Sequence, residues 1–573
     1  MTFPVLSLLL ATPLAGAALV ALIPREQKDV MRTLGLLTTL VVFAVSVLIY
    51  VKFNPASAVF QFEEKRAWIP DVIFYHLGLD GISLLLVMLT TLLSPVVILG
   101  AWKAVDMHVK EFVIAFLFLE TGVLGAFLAV DLFLFYVAWE FMLIPMYLII
   151  GVWGGERRHM ATIKFVIYTM AGSLLMLVGI LYLHWKTGAS TFSYTEILAL
   201  LTGTGGRPLL SMMEQILLFG AFGLAFAIKI PLFPFHTWLP DAQAEAPTAG
   251  SMMLAGVLLP LGAYGFIRFC IPFFPYAAAL TSWPIMALAV FGIIYGSLNA
   301  YAQTDIKKLV AYSSMAHLGF VVLGIFTLTP EGISGGIIHM VSHGFSIGAL
   351  FLCVGFLYER RHTREIASFG GVARAMPVFA GMFLLVTLSS IGFPGTNGFV
   401  GEFLILAGIF REGVASVIEP GNLLSWRNTM LLIGILATSG IILAAVYMIS
   451  MFRRVMFGPV NHDENKNLKD LSAREIVVMI PMLAMILLIG LGPNLFLSKT
   501  QASVDRYVDR YRDQIMEMRN PATAKRNQAA MLKAIETRLG PAAADALRRN
   551  GAQIHRGPLP GARQGRAHGQ GGR

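Results

Sequence analysis

About fourteen stretches of roughly twenty apolar residues follow one another along this chain, joined by short polar connections. Their centres fall near residues 13, 42, 90, 121, 142, 173, 222, 258, 291, 318, 345, 390, 440 and 485. A segment in lipid has to satisfy its own backbone polar groups, so runs of this length read as spanning helices. Charged residues make up 13% of the chain, where a soluble domain carries about a quarter. The fold class is therefore an all-α polytopic membrane protein. A soluble enzyme, a nucleic-acid binder and a receptor are excluded, because no domain-sized soluble segment exists. The two cysteines, Cys270 and Cys353, lie far apart in apolar runs, so no Fe–S site or zinc knuckle is expected within the chain. The run 4–22 lacks the basic leader of a signal peptide and reads as a retained first crossing.

The connections set the orientation. Lys and Arg concentrate at 25–32, 103–110, 154–164, 305–308, 359–365 and 452–470, which are alternate connections. The others are short or poor in charge, apart from 52–78, whose EEKR is balanced. Lys/Arg bias marks the cytoplasmic side, and an even number of crossings then places both termini on the periplasmic face of a bacterial inner membrane. The organisation expected is three leading crossings (1–110), a five-crossing unit (111–270), a second such unit (280–455), a last crossing (474–499) and a tail (500–573). The tail carries fourteen Lys and Arg against six Asp and Glu. Val504, Tyr507, Val508, Tyr511, Ile515 and Met518 keep helical spacing up to Pro521, and a weaker helix is expected over 523–539. The Gly/Pro/Arg-rich end has the composition of disorder. A basic tail of this kind is either a solvated end or a clasp on a neighbouring subunit or anionic lipid.

Ionisable residues inside the apolar runs carry the functional argument. The stretch 225–251, AFAIKIPLFPFHTWLPDAQAEAPTAGS, sets Lys229 mid-membrane and follows it with Pro231 and Pro234. Proline removes a backbone donor, so the helix breaks just past the lysine. Broken backbone at membrane depth is tolerated only inside protein or beside water. A mid-bilayer lysine costs at least about 2.5–3.5 kcal/mol on insertion scales, which makes it a functional candidate. Glu140, Glu120 and Glu402 lie in further apolar runs, the last in one broken by Pro394 and glycines. His317 and His343 add groups that change protonation near neutral pH, and His236 marks the inner end of the first break. These seven residues outline a lateral proton relay. Each also has a plainer reading. Glu140 and Lys229 serve equally as static ionic glue, and Glu120 as a helix-packing hydrogen bond. His339 and His343 share a helix face at i,i+4, but no carboxylate or cysteine near them in sequence completes a metal site, so none is expected.

The breaks at Pro231 and Pro394 lie 163 residues apart, each in the fourth crossing of a five-crossing unit. Paired broken helices are the sequence mark of repeats around an ion path. With five crossings per unit, the second repeat enters the membrane from the opposite side.

HTWLPDAQAEAPTAGS, FYVAWEFMLIPMY, DIKKLVAYSSMAHLGF and FPGTNGFVGEF resemble the antiporter-like membrane-arm subunits of respiratory complex I, the NADH–quinone oxidoreductase, and among them the M type. The resemblance covers about residues 1–497. It implies a proton-translocating subunit without a cofactor of its own, with FMN, iron–sulfur clusters and quinone in other subunits and L-type and N-type subunits as neighbours. By that resemblance Glu140 and Lys229 match a switch pair, His317 a relay histidine and Glu402 the terminal acid. One position departs from the pattern. Where the family carries a central lysine, this chain has Pro260, and nothing between residues 251 and 267 is acidic or basic. Two alternatives stay open on the sequence: a subunit of a multisubunit cation/proton antiporter or membrane-bound hydrogenase, and a non-pumping structural relative.

Overall fold

The computed structural model describes residues 4–69, 72–202, 209–414, 426–460 and 462–519. The expected second tail helix and the Gly/Pro/Arg-rich end lie outside the described residues. The chain divides into a unit of residues 1–513 and a second of 514–573, of which the described part is the end of one helix.

Thirteen helices among the described residues are long and apolar enough to cross a membrane, from Val5–Leu22 to Ala473–Leu491. A further crossing is split into Pro377–Ser390 and Asn397–Val414, so fourteen crossings result, the twelfth in two pieces. The seventh is also in two pieces: Met212–Lys229, then, after a non-helical stretch, Trp238–Glu245. Both interruptions fall where the prolines predict them. The eighth crossing (Thr248–Phe273), the tenth (Ile306–Thr327) and the eleventh (Pro330–Arg361) are buried almost throughout, whereas the first two expose apolar faces. Apolar side chains that meet lipid cost nothing, so the buried helices identify the protein core and the exposed ones its rim.

The Lys/Arg-rich connections form one ionic layer. Lys28 pairs with Asp106 at 2.9 Å, Lys164 with Asp241 at 2.7 Å, and Arg364 with Asp305 at 3.2 Å. Arg360 holds Glu475 through both guanidinium ends at 2.8 Å. Arg364 also reaches Glu245 at 3.7 Å, which joins the two five-crossing units, and the Arg360–Glu475 pair joins the second of them to the last crossing.

Two features depart from the sequence reading. The 52–78 connection is not featureless: Gln61–Ile69 and Ile73–Leu79 form an antiparallel hairpin with Lys65 opposite His76 and Ala67 opposite Phe74. Its charged first strand is exposed and its second buries Leu77 and Leu79. Glu64 of the hairpin accepts from the backbone N–H of Leu6 at 2.7 Å and Ser7 at 3.1 Å, satisfying donors orphaned at the start of the first crossing. The last crossing ends at Leu491, short of residue 499, because Pro493 interrupts the helix. A new helix, Asn494–Arg519, begins there and buries Val504, Tyr507, Val508 and Tyr511. Its Ser503 hydroxyl accepts from the Gly81 N–H at 3.0 Å. The start of the basic tail thus docks on its own chain.

At the same end Asp80 caps the third crossing (Gly81–Gly100), accepting from the N–H groups of Ile82 and Ser83 at 3.1 Å. It also accepts from Arg268 of the eighth crossing at 2.6 Å, and both side chains are 7% exposed. This buried pair ties the three leading crossings to the first five-crossing unit.

Candidate proton-relay site

The fold gathers the ionisable residues into two buried clusters, one beside each broken helix. In the first, Lys229 ends the apolar half of the seventh crossing, and its Nζ lies 4.9 Å from the centre of the Trp139 ring. It has no hydrogen-bond partner, and neither has Glu140 Oε1. Glu140 sits on the fifth crossing (Leu132–Trp153), next to Trp139, and is the charged group that acts on the ammonium through space. Among the described residues the two form no ion pair within 4.0 Å: the ammonium rests on an aromatic face, within the influence of the carboxylate but not clasped by it.

Several backbone groups at the break are bonded inside the protein. Leu232 N–H reaches the Ala227 carbonyl at 2.8 Å, Phe235 N–H the Leu232 carbonyl at 2.7 Å, and the Trp238 indole N–H the Ile228 carbonyl at 3.0 Å. The Ala227 and Ile228 carbonyls, left without helical partners by the break, are thus satisfied inside the protein.

The second cluster joins three crossings. His317 comes from the tenth, His339 and His343 from the eleventh, and Glu402 from the second half of the twelfth. His317 Nδ1 lies 3.4 Å from Glu402 Oε1. The His317 ring centre is 5.8 Å from that of His339 and 6.2 Å from that of His343. Asn397, just past the break, pins the twelfth crossing to the eleventh: its Nδ2 donates to the Ser342 carbonyl at 3.0 Å, and its Oδ1 accepts from Ser389 at 2.5 Å and Ser346 at 3.2 Å. The turn at the break needs Gly392, whose φ is +68°, and the Glu402 carboxylate occupies the place of its missing side chain.

The eighth crossing lies between the clusters. A Cβ at Gly262 would stand 3.0 Å from the Ile230 nitrogen of the first break, and one at Gly344, beside His343, would stand 2.8 Å from the Gly256 carbonyl oxygen. Both approaches require glycine. Pro260 falls between these two contacts, where the family resemblance implies a lysine. The turn before it, Leu254–Leu258, is a π-helix in which the Leu259 N–H reaches the Leu254 carbonyl, and Phe266–Cys270 is a second. A widened turn accommodates a proline that has no N–H for the carbonyl four residues back.

Two other sequence candidates lie outside these contacts. Glu120 is fully buried on the fourth crossing with neither oxygen bonded, facing Ser94. His236 lies in the first break, stacked on Phe233 and edge-on to Tyr295. Two residues had no place in the relay read from sequence. Trp139 is adjacent to Glu140 but reads as one more apolar residue. His339 was paired only with His343 on its own helix, and the absence of a nearby carboxylate is corrected by the fold: Glu402, distant in sequence, converges on His339 and His317.

The comparisons with known proteins bear on this arrangement. The family described as "NADH:quinone oxidoreductase/Mrp antiporter, TM" matches residues 129–420, which include both clusters. NADH-quinone oxidoreductase subunit M of Rhodobacter capsulatus is 44% identical over 520 residues, covering 88% of this chain and 96% of that protein. A chain of respiratory complex I from Thermus thermophilus superposes with a TM-score of 0.77 at 30% identity, over 88% of this chain and 99% of that one. A chain of the Mrp complex from Dietzia sp. DQ12-45-1b shares the fold, with a TM-score of 0.76 at 20% identity over 91% of this chain and 100% of that one. The fold and the paired clusters define an antiporter-like membrane subunit, and the chain belongs to the NADH:quinone oxidoreductase/Mrp antiporter family. Within it, the match along nearly the whole length is to subunit M of NADH-quinone oxidoreductase.

Proposed function

We infer that this chain is the M-type proton-translocating subunit in the membrane arm of an NADH–quinone oxidoreductase, and that its two clusters are successive resting places for the proton. The observation that carries the reading is that both clusters hold buried ionisable groups without hydrogen-bond partners, each beside a broken helix. An uncompensated buried charge is too costly to keep for structure alone, so retained groups of this kind mark an ion path. A proton leaves Lys229 more readily when Glu140 moves away or is neutralised, because the carboxylate favours the charged ammonium. His317 and Glu402, 3.4 Å apart, then share the arriving proton. Water held by backbone at the Pro260 turn is the bridge between Lys229 and this second pair. Glu120, His236 and His343 serve as flanking donors and acceptors along this path.

The Lys/Arg-rich layer faces the cytoplasm of a bacterium, which puts both termini on the periplasmic side of its inner membrane. FMN, iron–sulfur clusters and quinone belong to other chains, and L-type and N-type subunits flank this one. The test is Lys229→Ala in the intact complex, assayed in sealed vesicles. Protons moved per NADH oxidised are expected to fall, with residual oxidation reporting an assembled enzyme. An unchanged ratio in an assembled complex would rule out the role given to Lys229.

A further inference from the structure

We propose that His317, His339 and Glu402 form a binding site for a divalent transition metal of the zinc class, and that its occupancy arrests proton transfer through the second cluster. The first half stands on geometry; the second rests on the relay reading above. One ligand atom from each residue lies within 4.8 Å of the other two, and all three side chains are buried. His317 Nδ1 and Glu402 Oε1 are already 3.4 Å apart, close to the about 3.4 Å between neighbouring ligands of a tetrahedral ion with ~2.0–2.1 Å bonds. Neither ring nitrogen of His339 makes a well-formed hydrogen bond, so little holds the ring away from an ion. A small cavity of about 10 Å³ lies among His317, His339, His343, Ser346, Ser390 and Glu402. That is room for one water or one ion. His343 lines the same cavity, and a water there would supply a fourth ligand.

The donor set selects the metal. Two imidazoles and a single carboxylate suit Zn²⁺ or Co²⁺ and disfavour Mg²⁺ and Ca²⁺, which require oxygen ligands. With one carboxylate the filled site keeps a net positive charge in a poorly hydrated interior, so it repels an arriving proton as well as occupying its acceptors. The ligands come from the tenth, eleventh and twelfth crossings, and a metal would cross-link all three.

The experiment uses the purified intact complex. Wild type and a His339→Ala variant are soaked in Zn²⁺, passed over a chelating resin and analysed for metal. In parallel, Co²⁺-soaked wild type is examined by X-ray absorption for imidazole and oxygen ligation. Proton uptake by reconstituted vesicles is followed with and without Zn²⁺ or Mg²⁺. Wild type is expected to retain one more Zn²⁺ than the variant, and to lose uptake with Zn²⁺ but not with Mg²⁺. The variant's remaining uptake is expected to be insensitive to Zn²⁺. Equal retention by the two proteins overturns the site. If His339→Ala does not assemble, wild type with no imidazole-ligated cobalt overturns it instead. Retention of the extra metal with undiminished uptake upholds the site and overturns the arrest.

Discussion

Separating Arg268 from Asp80 should reveal how strongly the leading three crossings are bound to the rest of the bundle. Both side chains are 7% exposed, and the guanidinium is further enclosed by the rings of Phe60, Tyr264 and Tyr194 at 5.1, 5.2 and 6.0 Å. Breaking a buried pair by removing one partner costs about 3–5 kcal/mol, because the other charge stays behind unpaired. The two ends of that range apply to different variants. Arg268→Met leaves Asp80 with the N–H groups of Ile82 and Ser83, which places it near about 3 kcal/mol. Asp80→Asn leaves the Arg268 charge without a counter-ion, held only by neutral oxygens such as that of Tyr264 at 3.1 Å, which places it near about 5 kcal/mol. The double variant should cost less than the sum by about 3 kcal/mol, since neither charge is then stranded. The assay is thermal release of this chain from the purified complex, for all four proteins, between pH 5 and 8. Burial alone pushes the Asp80 carboxyl up, but the Arg268 guanidinium and the bonds from Ser83 outweigh it and hold it below its ordinary value of 3.8. A depressed carboxyl contributes stability above its unfolded value and loses it as pH falls through the folded one, so this contribution is constant across pH 5 to 8 in wild type. In Arg268→Met the opposing charge is gone, the carboxyl shifts upward, and the penalty should ease toward pH 5. Additive single variants, or an Arg268→Met penalty that grows on acidification, would refute this account.

Two further outcomes follow from the second cluster and the crossing between the clusters. A Cβ at Gly401 would stand 2.7 Å from His339 Nδ1 and 2.8 Å from its Cα, so Gly401→Ala should push the twelfth crossing off the eleventh, part Glu402 from His317 and lower proton uptake; full uptake in vesicles would contradict the packing described. Pro260→Lys should leave protons per NADH unchanged if water held at the π-helical turn already bridges the clusters, and a clear gain in that ratio would remove the bridge from the mechanism.

The crossings were legible because lipid leaves few options for a twenty-residue apolar run, and both breaks because proline recurs at Pro231 and Pro234 or stands between Gly392 and Gly395, whereas the lone Pro13, Pro95, Pro284 and Pro481 sit inside continuous helices. The hairpin at 61–79 was not, since it is stabilised by contacts from outside itself, such as Glu64 at the first crossing and the Val130 N–H bonding the His76 carbonyl. Which relay candidates meet was legible only through the family resemblance. Nothing in the spacing of His317 and Glu402 says that their side chains lie 3.4 Å apart, and His339 was passed over because its carboxylate partner lies on another helix. The interruption at Pro493 was visible as a residue but hidden by the apolar run around it.

The bonded break beside Lys229 has a consequence for timing. Its carbonyls are claimed by Leu232, Phe235 and the Trp238 indole, so bending there means giving up several buried bonds at once. On the relay reading, the broken helix is then a fixed mounting, and the part that travels is the lysine side chain, between the Trp139 face and Glu140. Lys229 is 1% exposed, so that swing needs room from the side chains packed on it, unlike the picosecond-to-nanosecond flips of exposed residues. The neighbours of the lysine, and not its own torsions, then set the pace of the switch.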